Sequence, residues 1–173
     1  MQQSPSADRF PMPITVDVQA AVLALNNAHA VELSWLEGDR LDALLGKSFY
    51  ARRFGHLAAF LIAFDESADY DSPNYLWFRQ RYPRFVYVDR IVVDRAARQQ
   101  GLARLLYEDL FRRAVAAGHE IVGCEVNSDP PNPASDAFHA AFGFSEVGRA
   151  SIHGGAKSVR YLARRLEHEG ISR

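Results

Sequence analysis

The sequence predicts an α/β protein of one domain, with a single central sheet of mixed strand direction flanked by helices. Three observations predict it. Strand-like and helix-like segments follow one another in the order helices, three strands, helix, strand, helix, two strands. The stretch from Val86 to Val126 reads strand–helix–strand, the pattern of a right-handed parallel crossover. The 173 residues, 48% hydrophobic and 24% charged and without internal repeats, are enough chain for one proper core.

Each element has its own signal. The first dozen residues, "MQQSPSADRFPM", are polar and contain proline, and residues 1–13 are expected to form a disordered tail before a domain at 14–173. In "VDVQAAVLALNNAHA", Val18, Ala21, Val22 and Leu25 recur at helical spacing, and the polar cluster Asn26, Asn27 and His29 follows. "DRLDALLGKS" predicts a second short helix, with Asp39 as N-cap and Leu41, Leu44 and Leu45 as its apolar stripe. "FYARRFG" and "HLAAFLIAFD" read as two strands joined near Gly55. The aromatic segment "ESADYDSPNYLWFRQRYP" reads as a long loop with a turn at Ser72-Pro73-Asn74, and a loop of that length is usually functional or mobile. "RFVYVDRIVV" is a strand, and an amphipathic helix follows it, with Leu102, Leu106, Leu110 and Ala114 in one row and Ala103, Tyr107 and Phe111 beside it. "EIVGCEVN" is a strand and "NPASDAFHAAFG" a short helix. "FSEVGRASI" and "KSVRYLARRL" are two last strands, turning at Gly154-Gly155.

Composition excludes several classes of function. A formal net charge of −1 argues against a general nucleic-acid binder, which needs a basic surface to release counterions. The one cysteine, Cys124, can form no internal disulfide and no cysteine-rich metal site, and its setting in "IVGCEV" reads as a packed strand. The N-terminal residues lack the apolar core of an export signal, and the longest apolar run, Leu57 to Phe64, is too short to span a bilayer. The expectation is a cytoplasmic protein with neither a membrane nor a nucleic-acid partner.

One turn points to chemistry. Arg98-Gln99-Gln100-Gly101-Leu102-Ala103 leads a β-branched strand into the amphipathic helix. The first turn of a helix leaves N–H groups without intrahelical partners, and these, with the positive end of the helix dipole, favour an anion. Gly101 and Ala103 keep side chains out of the way of phosphate oxygens, and Arg95, Arg98 and Arg104 add positive charge. There is no Gly-Lys-Ser/Thr and no Gly-x-Gly-x-x-Gly, so neither a nucleotide P-loop nor a dinucleotide fold is indicated. Read alone, the glycine also serves a plain strand-to-helix turn with solvated arginines.

Arg98-x-x-Gly101-x-Ala103 in this setting resembles the acyl-CoA-binding signature of the GNAT N-acetyltransferase superfamily. "NPASDAFHAAFGF", Asn132 to Phe144, resembles the second motif of that family, where an asparagine precedes a short helix ending in Gly-Phe. The resemblance covers roughly Ile14 to Leu166 and implies the GNAT fold, with its two central parallel strands splayed apart to admit a thioester. It implies acetyl-CoA as co-substrate and no metal. Backbone groups of Ile91, Val92 and Val93 would pair with the pantetheine arm. The N–H groups of Gln99, Gln100, Gly101, Leu102, Ala103 and Arg104 would hold the diphosphate, with Arg98 as a further cofactor-binding residue, and Asn132 and Ser135 would meet the pantetheine near the second helix. In many relatives a tyrosine on that helix protonates the departing thiolate. His139 stands at the matching position, as a donor near neutral pH or as a packed helix histidine bonded to a neighbour.

The implied reaction is direct acetyl transfer to a primary amine of a small molecule or an amino-acid-like acceptor. Asp89, on one face of its strand with Tyr87, Ile91 and Val93, is the first candidate base, and Asp89-Arg90 reads equally as a structural charge pair. A bulge in the strand would reverse that face. Glu125 is the weaker candidate, and a water chain the third route for the proton. The acceptor pocket of the family lies between the first helices and the loop before the cofactor strand. That nominates Asn26, Asn27 and His29 with Trp77 and Phe78, and with Tyr70 and Tyr75 beside them. The aromatics serve an acceptor, a closed lid or a dimer contact equally well, and dimers are common in the family. Two other readings stand beside this one: an acyl-CoA-binding sensor without turnover, and acetylation of a protein lysine or N-terminus.

Overall fold

The computed structural model describes residues 10–167. Seven strands form one sheet: β1 (Met12–Pro13), β2 (Tyr50–Phe54), β3 (Ala59–Asp65), β4 (Val86–Val93), β5 (Ile121–Asp129), β6 (Ser145–Ile152) and β7 (Lys157–Arg165), in the spatial order β1-β2-β3-β4-β5-β7-β6. The helices are α1 (Gln19–Asn27), α2 (Ala30–Leu33), α3 (Gly38–Lys47), α4 (Pro73–Arg79), α5 (Leu102–Ala116) and α6 (Pro133–Ala141). β1–β2, β2–β3, β5–β7 and β6–β7 pair antiparallel, and β4–β5 pairs parallel, so the sheet is mixed as its pattern requires. The parallel pairs in register are Val86↔Val122 and Tyr87↔Gly123, at the N-terminal ends of the two strands.

The chain divides into two compact units, Met1–Phe64 with Asp89–Arg112 and Asp65–Val88 with Arg113–Arg173. In the first, the apolar stripes close on a core that includes Val22, Leu41, Leu44, Leu61, Leu106 and Leu110. Tyr50 donates from that core to Asp109 Oδ2 at 3.0 Å, which satisfies a buried carboxylate in the middle of α5. In the second, Tyr75, Phe78, Phe85, Tyr87 and Tyr161 are buried together.

Three expectations are corrected, and one short helix is added. Met12 and Pro13, assigned to the tail, pair with Arg53 and Arg52 as an edge strand, where proline costs no ladder bond; residues 1–9 lie outside the described residues. The second predicted helix starts at Gly38 with Glu37 as N-cap, so Asp39 sits in the first turn, where its charge still meets the positive end of the dipole. A single helical turn, α2, follows His29. The aromatic loop is partly helical: Pro73 does not break the chain but opens α4 at a position that needs no N–H, and Tyr75 and Phe78 share the face it buries.

α4 is seated through glycines. A Cβ on Gly123 of β5 would lie 2.3 Å from a Phe78 ring carbon, and one on Gly148 of β6 would lie 2.3 Å from Trp77. Trp77 also stacks on Tyr161 at 4.2 Å between ring centroids. Phe78 is fully buried and cannot slide away, so Gly123→Ala should overpack the second unit and cost about 1–3 kcal/mol in urea denaturation. Shortening the ring with Phe78→Leu in the same chain should recover part of that loss. A midpoint unmoved by Gly123→Ala would mean that the helix does not bear on that strand.

Candidate active site

β4 ends at Val93, and Asp94 caps a short 3₁₀ turn, Arg95–Ala97, by accepting from the Ala96 N–H at 2.8 Å. The Asp94 N–H is anchored on the Ala58 carbonyl at 2.8 Å. Arg98 is extended, Gln99 turns left-handed at φ +65°, and Gly101 does so again at φ +74° before α5 begins. A Cβ at Gly101 would meet no atom within 4 Å, so glycine is required there by the backbone turn and not by a protein neighbour. The first α5 bond runs from the Leu105 N–H to the Gly101 carbonyl at 3.0 Å. Helical geometry therefore leaves the amides of Leu102, Ala103 and Arg104 pointing out of the helix mouth. Arg98, Gln99, Gln100 and Gly101 are exposed, and alternating backbone hand across such a turn gathers N–H groups into an anion-binding concavity. Arg104 leans along the helix to Glu108 at 2.8 Å. The donor set fits a diphosphate.

Along β4, burial alternates from Val88: Arg90 and Val92 are buried, and Asp89, Ile91 and Val93 half-buried. Tyr87 departs from this alternation because Phe78 of α4 packs on it, with ring centroids 5.7 Å apart. Asp89 is not a lone carboxylate. Its Oδ2 accepts from Arg90 Nε at 2.7 Å, and Arg90 Nη1 donates to Asn26 Oδ1 at 2.8 Å. Asn26 Nδ2 donates to the Ser34 carbonyl at 3.0 Å and to Asn27 Oδ1 at 2.9 Å, and Asn27 exchanges two 2.9 Å bonds with the backbone of Leu36. The two asparagines expected to face an acceptor thus direct these amide groups to scaffold partners. His29 is half-buried, and its N–H donates to the Asn26 carbonyl at 2.9 Å as it caps α2. Ser34 sits at φ +77°, ψ +148°, a conformation that costs a non-glycine residue on the order of 1–3 kcal/mol.

In the second unit the carboxylate of interest is Glu125. Tyr87 Oη donates to its Oε2 at 2.6 Å, and Glu125 is half-buried opposite Tyr161 in the β5–β7 ladder. The Tyr161 hydroxyl donates to Asn74 Oδ1 at 3.0 Å, and its pKa is pushed up to about 12, first by burial and then by the negative charge of Glu125. Trp77 is half-buried on the Tyr161 ring, whereas Phe78 lies in the core and not on an open wall. Asp65, Glu66 and His119 also come together, but Asp65 Oδ1 accepts from Ser67, and Glu66 serves Arg84 and the Phe85 N–H, so the cluster reads as scaffold.

α6 begins at Asn132, whose Oδ1 accepts from the Ser135 N–H at 3.3 Å as a helix cap. His139, one turn on, is buried, with Nδ1 2.7 Å from the Ser135 carbonyl and 3.2 Å from Ser135 Oγ. A carbonyl can only accept, so Nδ1 carries a proton and the neutral ring keeps its lone pair on Nε2. Burial pushes the pKa of His139 down, against the Ser135 hydrogen bond and the Asp136 charge. An imidazole held neutral in this way is a weaker proton donor than the sequence suggests.

Two features of the site escaped sequence reasoning. The Tyr87–Glu125 pair joins residues 38 apart in the chain. Arg90, a charge among valines in a central strand, was the available signal for a buried network.

The chain matches the sequence model of the acetyltransferase (GNAT) family over residues 29–144. No curated protein matches it in sequence. Among solved structures, it is similar to the ribosomal-protein-S18-alanine N-acetyltransferase of Escherichia coli, with 17% identity, TM-score 0.67, and coverage of 94% of this chain and 97% of the other. It is also similar to Ard1 of Thermoplasma volcanium, with 12% identity, TM-score 0.72 and coverage of 91% and 97%. Arabidopsis thaliana NAA60, solved in complex with acetyl-CoA, has 14% identity, TM-score 0.68 and coverage of 90% and 97%. Among the described residues, no helix is long and apolar enough to cross a membrane.

The lowered pKa of His139 has a consequence for stability. The unfolded histidine, with a pKa of about 6.5, binds its proton first as pH falls, so stability is full above that value and lost toward the lower folded value. His139→Phe should therefore flatten the decline in urea stability as pH falls below about 6.5. An unchanged slope would mean that the ring is not held neutral.

Proposed function

The chain belongs to the GNAT acetyltransferase family, and from that footing we propose that it is an acetyl-CoA-dependent N-acetyltransferase of the cytoplasm. It moves an acetyl group directly to a primary amine of a small molecule or an amino-acid-like acceptor. The observation that carries this reading is the exposed turn at 98–101, with left-handed Gln99 and Gly101 at the mouth of a helix of 15 residues. There the amides of Gln99 to Arg104 bind the diphosphate with the Arg98 side chain beside them, the Arg98 N–H being used on the Arg95 carbonyl, and the backbone of Ile91, Val92 and Val93 pairs with the pantetheine arm. Asn132 contributes through Nδ2, its Oδ1 being used in the cap, and Ser135 lies beside it.

Acetyl-CoA supplies an activated thioester; this chain must align it and manage protons. An alkylammonium with a pKa of about 10 has to lose its proton before the nitrogen can attack. Glu125 suits that task better than Asp89, whose carboxylate is committed to Arg90, while the Tyr87 hydroxyl orients Glu125 and leaves it half-exposed. It receives the proton directly or through water. The N–H of Val92 or Val93 faces the carbonyl oxygen as it gains charge. A thiolate whose conjugate acid has a pKa of about 8.5 needs little help to depart, and His139 can protonate it at Nε2 only from the imidazolium form, which burial disfavours. Asn26, Asn27 and His29 act on the acceptor through the segment they hold, and Trp77 offers an aromatic face. A protein N-terminus is the second acceptor class, favoured by the alanine acetylation that names the Escherichia coli neighbour. A dimer is compatible with either.

Thermal shift with acetyl-CoA and thiol release across a panel of primary amines test the reading. Acetyl-CoA should raise the melting temperature, because a ligand bound only by the native state stabilises it. Gly101→Glu, which strains the turn and brings a negative charge to its mouth, should abolish the shift. Glu125→Gln should keep the shift and lower turnover on the order of a hundredfold or more. Binding without thiol release for every amine would leave a sensor, and a shift that survives Gly101→Glu would remove the diphosphate seat.

A further inference from the structure

Arg90 is a charged side chain buried in a central strand, and one of its partners lies 64 residues away in the chain. Its planar guanidinium serves two acceptors in different directions, Nε to Asp89 and Nη1 to Asn26. From Asn26 the contacts run to the Ser34 carbonyl, and through Asn27 to both backbone groups of Leu36. All of these residues belong to one compact unit. The segment they hold is the one with the left-handed serine, φ +77° at Ser34, and it carries Trp35, 65% exposed. Trp35 is itself steered, Nε1 donating to Glu37 Oε1 at 2.7 Å. Simple packing would be served as well by an apolar side chain at position 90, since buried ions add little net stability over well-packed hydrophobes. A guanidinium with two asparagines instead fixes one backbone path.

We propose that Arg90 is a positioning residue for acceptor binding. From β4 it fixes residues 34–36 through Asn26 and Asn27, and so presents Trp35 to an acceptor with an apolar body. The acceptor half of this rests on the acetyltransferase reading; the holding of the segment does not. Lysine at position 90 keeps the charge beside Asp89 but loses the fork that reaches Asn26. Asn26→Asp keeps an oxygen for Arg90 but loses the donor to Ser34.

Hydrogen exchange followed amide by amide tests the holding. In both Arg90→Lys and Asn26→Asp, exchange at residues 34–36 should quicken about tenfold or more, with β2, β3 and α5 changed less than about twofold. The melting shift given by acetyl-CoA should remain within about 1 °C of the unsubstituted protein. For the primary amine that releases thiol fastest, KM should rise about tenfold while kcat stays within about twofold, the mark of lost binding and not of lost chemistry. Unchanged exchange at 34–36, exchange rising evenly across the unit, or a fall in kcat at constant KM would each overturn the proposal. If no amine releases thiol even with the unsubstituted protein, the acetyltransferase reading fails, and the exchange data still decide whether Arg90 holds the segment.

Discussion

The turn between β4 and α5 is the constraint on which the functional reading depends. A strand that ends at Val93 and a helix that starts at Leu102 can be joined in many ways, and most would bury or cap the first helical amides. Here the chain turns left-handed at Gln99 and Gly101, and the residues around the turn stay exposed. Amides without helical partners and a positive helix end are thereby left together at the surface. The anchoring of Asp94 on Ala58 and the cap at Ala96 hold the approach to that turn, so its geometry is set by neighbouring structure and not by the loop alone.

Within each unit the fold gives buried polar groups partners. Asp89 goes to Arg90, Arg90 to Asn26, and the asparagines to the backbone of Ser34 and Leu36, which satisfies groups that would be costly to leave unpaired. Glu125 receives the Tyr87 hydroxyl and stands opposite a tyrosine whose ionisation it opposes. The two carboxylates on the central strands therefore differ in kind: Asp89, its side chain 6% exposed, closes a scaffold, and Glu125 is half-buried under a tyrosine hydroxyl. α4, seated on Gly123 and Gly148, shapes the aromatic surroundings of the second.

Much of this was legible in the residues, and the gaps have physical causes. The strands, the amphipathic helix and the parallel β4–β5 pair follow from local periodicity, which a sequence displays directly. The turn before α5 was legible because its requirement, a residue free to turn left-handed before a helix, falls on a glycine; the same demand on Gln99 carries no such mark. Asn26 and Asn27 looked like a pocket because they are polar and follow an apolar helix, but their partners at residues 34, 36 and 90 are set by tertiary folding. α4 was hidden because Pro73 signals a turn and a helix start alike, and tertiary packing on Gly123 decides between them.

The most direct test follows the backbone amides of residues 99–104 by nuclear magnetic resonance while acetyl-CoA is added, with pantetheine, which lacks the diphosphate, as the control. The expected result is large, saturable displacement of these resonances by acetyl-CoA and little by pantetheine. Saturable displacement confined to other parts of the chain, with the amides at the mouth of α5 unmoved, would contradict the placement of the cofactor.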